Sequence, residues 1–153
     1  MAIDKIDKTL LRLLQRNARA TNTELAEQVN LSESACLRRV RALETSGLIQ
    51  GYVALLDQRQ AGYAADVFVH IALDRQQHSG LDAFESAVRK IPEVMECYLT
   101  TGDFDYLLRL VVVDLQDFER VHRQHLTRLP NVARVQSSLA VRTVLRSTVI
   151  PIR

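Results

Sequence analysis

The chain has 153 residues, 47% hydrophobic and 25% charged, with a formal net charge of +2. These are the proportions of a soluble globular protein, one domain or two small ones, each able to hold a core. No apolar run is long enough to span a bilayer and no signal-peptide pattern opens the chain, so a membrane protein is not expected.

Charge is unevenly spread: residues 1–50 carry the whole surplus of +2 and the remainder sums to zero. That pattern argues for local phosphate contacts rather than a positive coat. Cys36 and Cys97 sit in unrelated apolar contexts and are too few for a four-cysteine zinc site. Both are read as reduced, buried residues of a cytoplasmic protein.

In chain order, Asp4–Arg16 is expected to form a helix, with Asp4 as its cap, Asp7 in its first turn and Ile6, Leu10, Leu13 and Leu14 as its apolar face. Thr21 and Glu24 then form a capping box, and Leu25, Ala26 and Val29 fall on one face of a second helix that must stop near Asn30. Ser32 caps a third helix, in which Cys36, Val40 and Leu43 recur at intervals of four and three as a buried stripe. Gly47 is placed to end it in a left-handed conformation. At ~100° per residue, Ser34, Arg38 and Arg41 point away from that stripe, with Arg39 on its flank. Such a row suits a helix in the DNA major groove, where arginines fork onto guanine edges or phosphates. An ordinary solvated helix face would read the same way. Leu48–Leu56 is short and β-prone around Gly51, as the wing of a winged helix would be, and the polar stretch Asp57–Tyr63 marks a boundary.

The second half alternates strand and helix patterns. Ala65–Leu73 reads as a strand; Leu81, Phe84, Val88 and Ile91 mark a helix closed by Pro92. Val94–Thr101 and Tyr106–Val113 read as strands joined by a turn at Gly102–Asp105. Asp114 caps a helix carrying Leu115, Phe118, Val121, Leu126 and Leu129, and Val132–Arg146 reads as a long last strand. The order βαββαβ predicts a ferredoxin-like domain with both helices on one face of an antiparallel sheet. The fold class is therefore α+β, an N-terminal winged helix-turn-helix followed by a ferredoxin-like sensing domain. The expected domains are 1–56 and 65–153, with 57–64 as linker. Ala65–Leu73 and Tyr106–Val113 read as apolar on both sides, so another subunit is expected to cover the face that the helices leave open.

These residues resemble the Lrp/AsnC family of leucine- and asparagine-responsive bacterial regulators. The resemblance covers nearly the whole chain and rests on NTELAEQVNLSESACLRRVRALETSGLIQGY (Asn22 to Tyr52), TGDFDYLL (Thr101 to Leu108) and LPNV (Leu129 to Val132). It implies a regulator that binds double-stranded DNA, responds to an amino-acid effector held between sensing domains, and forms dimers that assemble further, often to octamers. No longer basic N-terminal arm of the kind some members carry precedes Asp4, which implies weaker non-specific DNA contacts. Glu33–Ser34–Ala35 stands where many members have a proline-containing segment, so operator preference does not carry over.

The candidate DNA-binding residues are Asn22, Thr23, Ser32, Ser34, Arg38, Arg39 and Arg41. The candidate effector-binding residues are Tyr98, Gly102, Asp103, Phe104, Asp105, Tyr106, Ser137 and Ser138. Asp103 or Asp105 would pair with an α-ammonium group, and Gly102 would let the backbone approach a ligand. A well-made hairpin turn would also use Gly and Asp. Ser137 and Ser138 mark either a polar pocket or a sheet edge. His122 and His125 have no third ligand nearby, so a hydrogen-bonded pair is expected rather than a metal site. No catalytic nucleophile or phosphate-cradling glycine loop is evident, and no cofactor or enzymatic activity is expected. Two rival functions fit the same architecture: a siroheme-decarboxylase-like enzyme, against which the arginine row argues, and a nucleoid-like protein that binds DNA without an effector.

Overall fold

In chain order the elements are α1 (Lys5–Arg16), α2 (Asn22–Val29), α3 (Glu33–Thr45), β1 (Ala65–Leu73), α4 (His78–Val88), β2 (Val94–Leu99), β3 (Tyr106–Val112), α5 (Leu115–Gln124) and β4 (Val132–Leu139). The structure is a computed structural model that describes residues 3–74 and 78–153, without the side chains of residues 78 and 79. Residues 1–2 of the first expected domain and 75–79 of the second thus lie partly or wholly outside the description. Two compact units emerge: the segment up to Leu55 together with Val144–Arg153, and Leu56–Thr143.

The first unit is built on local capping. Asp4 and Asp7 form a reciprocal box at the start of α1, each carboxylate accepting the other's backbone N–H at 2.9 and 3.1 Å. Thr21 and Glu24 do the same for α2, and Asn30 ends that helix in the left-handed region at φ 52°. Ser32 then accepts the Ala35 N–H at the start of α3. Gly47, at φ 76°, turns the chain off α3. Leu10, Leu11, Leu14, Leu25, Ala26, Cys36, Val40 and Leu43 form the shared core. Leu48–Leu56 is not the expected wing strand. Among the described residues of this unit no strand lies beside it, so it forms no ladder, and Val53, Leu55 and Leu56 are exposed.

The second unit is an antiparallel sheet in the order β2-β3-β1-β4, the ferredoxin-like arrangement. Its core face carries Val67, Val69, Ile71 and Leu73 of β1 and Tyr106, Leu108, Leu110 and Val112 of β3, packed with Phe84, Val88, Val121, Leu126 and Leu129. The strands alternate more cleanly than the sequence suggests. The opposite face presents Phe68, His70, Leu107 and Val111 but also the ion network Arg109–Asp66 (2.7 Å) and Arg109–Glu96 (2.8 Å). The expectation of strands apolar on both sides is corrected to a mixed open face with an apolar centre.

Several boundaries move. α4 ends at Val88, before Ile91 and Pro92, and β4 ends at Leu139 rather than Arg146. The ladder stops because β1 runs out: Val67 pairs with Leu139 and the Ala140 N–H reaches the Asp66 carbonyl at 3.0 Å. The tail beyond joins the helical unit instead. Ile152 packs against its core, Arg12 donates to the Ile152 carbonyl at 3.0 Å, and Gln15 brackets the Ile150 backbone at 2.6 and 3.1 Å. Cys36 is buried, but Cys97, on edge strand β2, is exposed, contrary to the expectation that both are buried.

Candidate functional site

The third helix presents two surfaces with different roles. Cys36 and Leu43 have no exposed surface and Val40 only 9%, while Ser34, Arg38 and Arg41 lie on the opposite, solvent side. Among the described residues neither Arg38 nor Arg41 has an ion pair or hydrogen bond. Arg39 behaves differently. From its flank position it reaches back to α1 and binds Asp4 at 2.7 Å and Asp7 at 2.9 Å. The Asp7 N–H and then the Arg39 guanidinium hold the Asp4 carboxyl below its usual range. Arg39 therefore staples α3 to α1, unlike its neighbours Arg38 and Arg41.

Two more candidates have internal roles. Asn22 Nδ2 donates to the Glu33 carbonyl at 2.9 Å, tying the start of α2 to that of α3, and Ser32 is the α3 cap. Thr23 is exposed on the first turn of α2. Leu37, absent from the sequence-derived set, lies among the exposed residues of α3 at 38%. It lies three residues from Val40 and off the buried stripe of Cys36, Val40 and Leu43.

At the β2–β3 turn, Thr100 N–H meets the Asp105 carbonyl at 2.8 Å and its hydroxyl donates to the Phe104 carbonyl at 2.9 Å. Gly102 sits at φ 113°, a conformation that side chains rarely adopt. The two aspartates part company here. Asp105 accepts the Leu73 N–H at 2.7 Å, which fixes the turn to the end of β1, whereas the Asp103 carboxylate is exposed and has no partner among the described residues. Phe104 lies 5.1 Å from the His70 ring and 4.5 Å under the Arg134 guanidinium, which also donates to the Asp103 carbonyl at 3.3 Å. Leu81, Leu99, Thr100, Thr101, Gly102 and Asp105 line a cleft of about 440 Å³.

Of the sequence-derived effector set, Gly102 and Asp105 line this cleft and the others do not. Tyr106 is 1% exposed and its hydroxyl donates to Glu85 at 2.9 Å; burial, then that carboxylate, raises its pKa. Ser137 pairs with Val69 on the helix-covered face, while Ser138 pairs with Phe68 on the open one. Tyr98 is also on the open face, opposite Leu107, and donates to Glu96 at 2.9 Å. Adjacent serines in a strand cannot share a pocket, because side chains alternate between faces. His122 lies 5.9 Å from Phe118, and no hydrogen bond joins it to His125 among the described residues. Within that same set no group of three or more His, Cys, Asp or Glu is placed to hold a metal, and no helix is long and apolar enough to cross a membrane.

Comparison with known proteins decides the family. The Lrp/AsnC ligand binding domain matches residues 66–150, more than half the chain, and the AsnC-type helix-turn-helix domain matches residues 3–44. The chain belongs to the Lrp/AsnC family. As a member it is a transcriptional regulator with a DNA-binding helix-turn-helix and a ligand-binding domain. The Lrp/AsnC chain is 41% identical to the leucine-responsive regulatory protein of Klebsiella pneumoniae over 95% of its own length and 88% of the relative's. It is 49% identical to an uncharacterised HTH-type transcriptional regulator of Sinorhizobium fredii over 77% of this chain and 93% of that protein. Among solved structures, a transcriptional regulator from Neisseria meningitidis in complex with L-Met aligns at a TM-score of 0.93 and 35% identity, covering 98% and 97% of the two chains.

Proposed function

We propose that this Lrp/AsnC regulator reads operator DNA with Ser34, Arg38 and Arg41 of α3, aided by Thr23, and senses an amino acid at the β2–β3 turn. The observation that carries the DNA side is a pair of exposed guanidiniums with no partner among the described residues, on a helix whose opposite face is core. Arg39, the neighbouring cation, is already committed to two carboxylates, so the unpaired arginines are the ones available for phosphate and base edges. Their expected split is Arg38 on a base edge and Arg41 on phosphate.

On the sensing side, the unpaired Asp103 carboxylate and the backbone around Gly102 supply acceptors for an α-ammonium group beside a cleft of amino-acid size. The Neisseria neighbour bound to L-Met supports an amino-acid effector. The exposed Phe68 and half-buried Leu107 on the open sheet face support a homodimer built on that face and assembling further, to an octamer as the family resemblance implies. The protein acts without a cofactor, as a cytoplasmic regulator rather than an enzyme; its DNA-binding domain is 1–56 with the tail Val144–Arg153 added, 57–64 is the linker, and the sensing domain runs from 65 to that tail.

The deciding measurement is binding to an operator selected from random DNA. Arg38→Ala is expected to weaken the selected site by ~1–3 kcal/mol and relax preference at one base pair. Arg41→Ala weakens all sequences alike and lowers the salt slope. Full affinity in the folded double variant overturns the assignment.

A further inference from the structure

Leu37 is the anomaly on the reading helix. It is 38% exposed, whereas Val40 and Leu43, the other large aliphatic residues of α3, are buried, and it stands on a surface with Ser34, Arg38, Arg41 and Glu33. At ~100° per residue it falls about 60° from Ser34 and about 40° from Arg41, one turn from each. The exposed part of that side chain gains nothing from its own core. In the major groove, however, one base-edge group is apolar, the C5-methyl of thymine.

We propose that Leu37 is a specificity-determining residue that selects a thymine by packing on its methyl group. The inference rests on α3 being the reading helix and goes further by naming the base. Its place in the operator follows from helix geometry. Leu37 and Arg41 are separated by ~6 Å along the axis, less than two base-pair steps of about 3.4 Å. The thymine therefore lies within two base pairs of the Arg41 contact. Arg38, next to Leu37 in the chain, reaches the neighbouring base, so the read step joins a polar contact to an apolar one. Glu33, exposed one turn before Leu37, disfavours phosphate on that side and turns the leucine toward base edges rather than the backbone.

The test replaces thymine by deoxyuridine, one position at a time, in the operator selected by the full-length protein. Binding is followed by fluorescence anisotropy at fixed salt. One thymine per half-site is expected to lose about fourfold in affinity on losing its methyl, the worth of one methyl-sized group taken from water. Leu37→Ala is expected to bind the thymine and deoxyuridine operators equally, and Leu37→Gln to do the same while keeping the side chain's length. Because Leu37 is only 38% exposed, truncation is expected to lower the melting temperature somewhat, and binding is compared well below each variant's transition. The proposal is overturned if no demethylated position weakens the parent, or if Leu37→Ala keeps the parent's sensitivity. If that happens while the Arg38/Arg41 double variant has lost the operator, α3 remains the reading helix and only the thymine contact falls. If the parent selects no sequence at all, both readings fall together.

Discussion

Leu107 and Leu108 are chemically identical neighbours on β3, and the structure assigns them opposite duties. Leu108 has no exposed surface, pairs across the ladder with Val69, and belongs to the core between sheet and helices. Trimming it to alanine should cost ~2–5 kcal/mol, a large part of the ~5–15 kcal/mol that holds an ordinary domain together. Leu108→Asp adds a desolvated carboxylate that Arg109, pointing to the other face, does not reach, so that variant should not fold. Leu107 is half-buried on the open face, opposite His70 on one side and Tyr98 on the other. In a single subunit Leu107→Asp is a surface change within ~0.5 kcal/mol. In a two-fold dimer on that face it buries two carboxylates, one from each protomer. At ~1–3 kcal/mol for each unsatisfied group, dimerisation should weaken by about 30-fold or more. Sedimentation velocity over a concentration series, with urea unfolding of the same samples, reads both effects. A Leu107→Asp protein that dimerises as tightly as the parent refutes the proposed interface. A Leu108→Asp protein with the parent's unfolding midpoint refutes the core assignment.

Asp103→Ala should weaken binding of the amino acid found by thermal-shift screening while leaving effector-free DNA affinity unchanged; equal ligand affinity by calorimetry would move the pocket elsewhere. Asp105→Ala should instead lower the melting temperature, because it releases the Leu73 N–H at the end of β1. The Asp4 carboxyl is held below its ordinary 3.8. Its contribution is therefore present above that pH and lost as pH falls through the folded value. Asp4→Asn keeps a cap acceptor but should flatten this acid dependence of the melting temperature, and an unchanged profile would show that Asp4 is not its source. Arg39→Ala should lower the melting temperature of the helical unit while the folded protein keeps the operator preference of the parent, as read by anisotropy well below the transition.

What could be read from sequence follows what is local. The capping boxes at Asp4/Asp7 and Thr21/Glu24 and the spacing of Cys36, Val40 and Leu43 place α1, α2 and α3 within a residue, because each signal lies within one or two helical turns. Strand status is not local. Leu48–Leu56 and residues 140–146 are β-prone, yet neither is a strand: the first has no strand beside it among the described residues and the second outlasts its partner β1. The same distinction governs the site. The β2–β3 turn was visible from Gly102 and its flanking aspartates. The division of labour between Asp103 and Asp105 depends on a backbone N–H 32 residues away, at Leu73. Arg39 shows the same dependence: side-chain type suggested DNA, while its ion pairs are with Asp4 and Asp7, more than thirty residues away in the chain.

The tail that carries Ile150 and Ile152 onto α1 makes the DNA-binding unit a product of both ends of the chain. During synthesis, the three helices emerge first, but their last packing partner and the hydrogen bonds to Arg12 and Gln15 arrive only after the sensing sheet has been made. At ~5–20 residues per second, the intervening stretch delays that closure by roughly 5–20 s, ample time for the sheet to form. A ribosome that stalls in the sensing domain thus releases a helical unit without its final strap. Regulators that reach the operator fully packed are those whose sensor has already been translated, so the order of residues along the gene itself biases against a DNA binder that lacks its switch.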